Sequence, residues 1–125
     1  MDDFIKIKAY NLETILAEKL QTVFNKSIYN SRSKDFYDIY IIHKLKIDQI
    51  NTCDLRKAFL RTCAYRKTDF TKKYADGLLN TLAENEQMLT RWKNYIKKNA
   101  FAKGIEFKTV ITSCKNITNL IFKNK

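Results

Sequence analysis

The chain has 125 residues, 45% of them hydrophobic, enough for a single modest core and too few for a second full domain. Its 24 Lys and Arg against 13 Asp and Glu give a formal net charge of +11. That balance favours polyanionic partners such as RNA, DNA, a nucleoside triphosphate or an acidic protein surface, and disfavours acidic or strongly apolar functional classes.

Residues 4–10 read Phe-Ile-Lys-Ile-Lys-Ala-Tyr, with Ile5, Ile7 and Ala9 alternating against Lys6, Lys8 and Tyr10. This predicts one short half-buried strand. Nothing later repeats the pattern, and a lone strand leaves its backbone groups unpaired. It therefore needs either a second copy of the chain, which would make a homodimer through residues 4–10, or a sheet supplied from elsewhere.

Asn11 suits an N-cap and Glu13 a first-turn carboxylate, opening a helix that runs to about residue 25 on Leu12, Ile15, Leu16, Leu20 and Val23. After the polar link 26–31, Ser31 or Ser33 can cap a second helix carrying Asp35, Asp38, Ile39, Ile42 and Leu45. Residues 46–52 read as a loop or short turn. Leu55, Ala58, Phe59 and Thr62 mark a third helix, basic on its other sides. From 71 to 98 the pattern is helical but slips near Glu84, so two helices are expected with Asn85 as N-cap. Gly104 suits the left-handed residue that ends the second of these. Phe107, Val110, Ile111, Cys114, Ile117 and Ile121 share the face of a closing helix.

The fold expected is mainly α: a short strand at 4–10, then a bundle of five to six helices forming one helical domain over 1–125. Cys53, Cys63 and Cys114 are odd in number and lack metal-type spacing, and His43 is the one histidine. The cysteines are expected to be reduced core thiols, His43 a surface or capping residue, and Trp92 with Tyr95 and Ile96 a buried face. The start lacks the layout of a secretory signal and no apolar run reaches membrane-spanning length, so a cytoplasmic protein without membrane contact is expected.

Three charges stand out because they fall on apolar stripes. Lys19 lies in the middle of the first helix's apolar face, and Asp35 and Asp38 share a face with Ile39 and Ile42. In an antiparallel hairpin Lys19 lies about 6 residues before the link, roughly 9 Å along the axis, and Asp38 a similar distance beyond it. The ammonium can thus meet at least one carboxylate. The pairing is either a salt bridge that fixes the hairpin's register, or part of a site where Lys19 binds phosphate and a carboxylate orients it, binds metal or activates a hydroxyl.

The stretch Tyr10-Asn-Leu-Glu-Thr-Ile-Leu-Ala-Glu-Lys19-Leu, followed by Arg32-Ser-Lys-Asp35-Phe-Tyr-Asp38-Ile-Tyr40, resembles the signature of AbiEii/AbiGii-type nucleotidyltransferase toxins of abortive-infection, type IV toxin–antitoxin systems. Thr62 with Arg66, and Trp92-Lys-Asn-Tyr95-Ile-Lys-Lys followed by Ile105-Glu-Phe107, are similar to that family's C-terminal helical region. The resemblance implies a polymerase-β-like enzyme that moves a nucleotide from a triphosphate, with Mg2+, to an acceptor, which is tRNA for some members. Carried over, Lys19 and one or both of Asp35 and Asp38 are catalytic, with Arg32 and Arg66 as substrate-binding residues.

The chain departs from the family at the other half of the site. It contains no Gly-Ser element, since Gly77 and Gly104 precede Leu78 and Ile105, and no Asp-x-Asp. Two-metal phosphoryl transfer relies on such carboxylates to clamp the attacking and leaving oxygens. The expectation is therefore a C-terminal helical half, without the nucleotidyltransferase core, that is inactive alone and binds neither Mg2+ nor triphosphate tightly. An antitoxin, a separate N-terminal half or RNA are the partners implied. A basic helical module that binds RNA or an antitoxin without catalysis is the alternative.

Overall fold

A computed structural model describes residues 11–27, 29 and 32–123. The strand expected at 4–10, and with it the expected pairing of two chains, lies outside the described residues. Those residues form six α-helices and no strand: α1 (Leu12–Lys26), α2 (Ser33–Lys46), α3 (Thr52–Tyr65), α4 (Lys72–Glu84), α5 (Glu86–Lys98) and α6 (Phe107–Phe122). Short 3-10 turns, Ile47–Gln49 and Ala100–Ala102, follow α2 and α5.

α6 is the centre of the bundle, packed against α2, α3 and α4, because one of its faces is apolar over its whole length. Val110, Cys114 and Ile117 on that face are fully buried. α1 lies across α3 on one side and α2 on the other, and α5 joins α4 to α2. Phe24, Phe36 and Phe59 are completely buried where these layers meet. No helix among the described residues is long and apolar enough to cross a membrane.

Four helix starts carry the side-chain caps their residue types favour. Asn11 Oδ1 accepts the Thr14 N–H at 2.8 Å, Asn51 Oδ1 that of Asp54 at 2.9 Å, Thr71 Oγ1 that of Tyr74 at 3.0 Å, and Asn85 Oδ1 that of Met88 at 3.0 Å. The Asn85 cap explains the register slip after Glu84. α2 differs from expectation: Ser33 is already inside the helix, Arg32 holds the N-cap position, and no side chain caps it. The carboxylate of Asp35 in its first turn supplies the negative charge that a helix N-terminus favours.

Three local expectations are corrected. His43, in the last turn of α2, is more than a surface group: half-buried, its Nδ1 shares a 3.1 Å hydrogen bond with Ser113 Oγ, tying α2 to α6. Cys53 is exposed, and only Cys63 and Cys114 are core thiols. Gly104 does take a positive φ of 87°, but one 3-10 turn after α5 has ended rather than at its last residue. Trp92 is buried as expected, and its indole N–H donates to the Ile105 carbonyl at 2.8 Å.

Candidate functional site

The α1–α2 hairpin gathers the charged residues that the sequence singles out. α1 must cover α3 with one face and α2 with the next, so its apolar stripe is wide, and Lys19 falls on the part turned to α2. Lys19 Nζ lies 3.3 Å from Asp35 Oδ1 and 2.9 Å from Asp38 Oδ2. The ammonium therefore bridges both carboxylates, one helical turn apart on α2. Lys34 Nζ reaches the same Asp38 oxygen at 2.8 Å from one turn earlier.

Burial decides what this cluster can do. The side chains of Lys19, Asp35 and Asp38 are 23%, 12% and 24% exposed, whereas Lys34 is 60% exposed. Burial by itself pulls the Lys19 pKa down, but the hydrogen bonds and charges of Asp38 and Asp35 outweigh it, and the net shift is upward from 10.5. Lys19 is thus a permanent cation near neutral pH. It cannot accept a proton there, so its chemistry is that of a fixed positive charge. An ammonium has three N–H donors; two serve the carboxylates, leaving a third for an incoming oxygen.

The cluster closes one end of a groove of about 300 Å³ between α1 and α2. Leu12, Ile15, Ile41, Ile42 and Leu45 form its walls, and Lys19, Lys34, Lys46 and Asp38 its charged rim. Lys19 and Lys34 are paired with Asp35 and Asp38, so this end of the groove is charged but close to neutral overall. A divalent cation fits this donor set poorly: Mg2+ takes about six oxygen ligands, whereas these two carboxylates converge on an ammonium. Among the described residues no group of three His, Cys, Asp or Glu side chains could hold a metal ion.

The remaining expected site residues lie elsewhere. Arg32 is exposed at the start of α2, where its carbonyl accepts the Asp35 N–H at 3.0 Å, so it stands one turn from the cluster. Arg66, after α3, donates through Nη1 to Gln21 Oε1 at 2.6 Å and Thr22 Oγ1 at 3.1 Å. Gln21 in turn donates to Thr68 Oγ1 at 3.0 Å. Arg66 thereby straps the end of α3 to α1, and none of these bonds joins it to Asp35 or Asp38. Glu13 is buried and its Oε2 accepts the Asn51 N–H at 2.7 Å, so it satisfies the start of α3 as well as charging the start of α1. Lys34 is the member of the cluster that was missed; its i,i+4 spacing to Asp38 is the signal that could have found it.

The structure is thus a helical bundle that holds a lysine between two aspartates at the mouth of a groove. The family described as nucleotidyl transferase AbiEii toxin, type IV TA system, matches residues 1–112 of the 125, and the chain belongs to that family. The matched region contains all five helices α1 to α5 and the first part of α6. No curated protein and no solved structure matches the chain.

Proposed function

We propose that α1 and α2 form one wall of a nucleotidyltransferase site, in which Lys19 neutralises a phosphate oxygen while Asp35 and Asp38 hold it in place. The observation that carries this reading is the Lys19 ammonium, fixed by 3.3 and 2.9 Å contacts at the end of a groove, in a chain of a nucleotidyl transferase family. The lysine's third N–H meets the substrate oxygen without releasing either carboxylate. Arg32, one turn away, adds a second positive charge, and Arg66 contributes mainly by holding the α1 backbone on which Lys19 sits.

In this reading the wall does not act by itself. The Gly-Ser and Asp-x-Asp elements that hold triphosphate and metal in the family are not in these 125 residues. Because Asp35 and Asp38 are committed to Lys19, Mg2+ and the triphosphate are held chiefly by a second, N-terminal nucleotidyltransferase unit. The type IV toxin–antitoxin family suggests an antitoxin as a further partner, and the net charge of +11 suits an RNA acceptor. The test is to incubate the purified chain with labelled nucleoside triphosphates, Mg2+ and total tRNA. The RNA should stay unlabelled, and robust transfer would sink the claim that a second unit is needed.

A further inference from the structure

Where α2 meets α5, beside the Lys19–Asp35–Asp38 cluster, three aromatic rings form a ledge that the transfer reading does not use. Tyr37, the residue next to Asp38, lies 5.0 Å from Phe101 and 6.1 Å from Tyr95 between ring centroids, and Tyr95 lies 6.2 Å from Phe101. Beneath them Trp92 stacks on Tyr95 at 5.4 Å with 24° between planes, so the ledge rests on the core. Its outer member is open: Phe101, in the Ala100–Ala102 turn, is 61% exposed. An exposed phenylalanine seated on two half-buried tyrosines offers a flat π face at little cost in side-chain ordering.

The α5 side of the ledge is basic, while on its α2 side the Asp38 carboxylate adds to burial in raising the Tyr37 and Tyr95 pKa values. Residues 87–105 contain Arg91, Lys93, Lys97, Lys98 and Lys103 and no Asp or Glu. On α5, Arg91 and Lys98 lie four residues before and three after Tyr95, on the same edge of the helix. Lys103 follows Phe101 by two residues. Aromatic rings interleaved with cations are the arrangement that binds single strands, where bases stack on the rings and the cations track the backbone phosphates. An acidic peptide would use the cations but leave the ring faces without a planar partner, and a duplex keeps its base faces stacked internally.

We infer that Tyr37, Tyr95 and Phe101, with Lys98 and Lys103, form a stacking site for an unpaired base of a single-stranded nucleic acid beside the Lys19–Asp35–Asp38 cluster. The inference goes beyond the transfer reading and does not require Lys19. It is tested by fluorescence anisotropy of labelled oligouridylate and of a blunt-ended, fully paired RNA duplex with the same number of phosphates, at low salt. Phe101→Ala and Phe101→Leu should each weaken oligouridylate binding roughly 10-fold. Phe101→Tyr should restore it, and the duplex should bind all four proteins alike. Lys98→Ala with Lys103→Ala should weaken both ligands. Absence of binding by the wild-type chain overturns the inference. So does Phe101→Ala binding as tightly as wild type, equal losses for strand and duplex, or failure of tyrosine to restore binding.

Discussion

Replacing Lys19 with methionine keeps most of the side chain's volume and removes only its charge. Asp38 would still have Lys34 at 2.8 Å, so the carboxylate left without a partner is that of Asp35, the least exposed of the cluster at 12%. Breaking a fully buried pair costs about 3–5 kcal/mol and an exposed pair about 0.2–1 kcal/mol; with side chains 12–24% exposed, Lys19→Met should cost about 2 kcal/mol. For a chain of this size that lowers Tm by about 8 °C. Because Lys19 has a raised pKa in the folded chain, its contribution is full below the unfolded value of 10.5 and is lost as pH rises through the higher folded value. Urea unfolding followed by circular dichroism should therefore show a constant gap between wild type and variant from pH 6 to 9. The gap should close only in strongly alkaline solution. Asp35→Asn in the Lys19→Met background should recover about 1 kcal/mol of the loss, a coupling that neighbouring groups show and distant ones do not. A variant within about 0.5 kcal/mol of wild type at pH 7 would refute the pairing, since that is the size of an ordinary surface change.

Other residues carry their own expectations. Glu13→Ala removes the 2.7 Å acceptor of the Asn51 N–H and should destabilise the chain by about 1 kcal/mol, measured by the same urea titration. With a disulfide reagent at neutral pH, one thiol should react quickly, that of exposed Cys53. Cys114, with its pKa pushed up to about 12 by burial, and Cys63, also raised by burial, should react only on unfolding. Burial lowers the His43 pKa from 6.5, so the unfolded chain binds that proton first. Stability should fall as pH drops below about 6.5, and His43→Asn should reduce this slope in acid unfolding curves.

The helical hairpin and its central lysine are readable from the sequence because one periodicity places Lys19 among Ile15, Leu16, Leu20 and Val23, and counting residues from the link sets its level against Asp38. Helix starts at Asn11 and Asn85 are readable for a similar reason, since a cap bonds within three residues of itself. What escapes a linear reading are bonds made across the bundle. Glu13 reaches Asn51 over 38 positions, Arg66 reaches Gln21 over 45 and His43 reaches Ser113 over 70. Local chemistry suggested a dipole carboxylate at Glu13 and a surface group at His43, and the family resemblance a substrate ligand at Arg66; packing of a distant segment adds a partner to each. The exposed ledge is hidden for the opposite reason. Trp92 and Tyr95 share a helical face that reads as core, but the turn at 100–102 brings Phe101 over its edge and keeps Tyr95 only half-buried.

The central claim is that Lys19 serves phosphate chemistry as well as the hairpin's register. The measurement that tests it most directly joins this chain to an N-terminal nucleotidyltransferase unit that carries the family's Gly-Ser and Asp-x-Asp elements, and follows transfer of labelled nucleotide to tRNA with Mg2+. The joined protein should transfer label and the isolated chain should not. Lys19→Arg, which keeps the charge, should retain part of the rate, while Lys19→Met should lose it by about 100-fold or more, the scale of removing one charge-stabilising donor. Transfer by the joined Lys19→Met protein at the wild-type rate would contradict the account and leave Lys19, Asp35 and Asp38 as a salt bridge that only holds two helices in register.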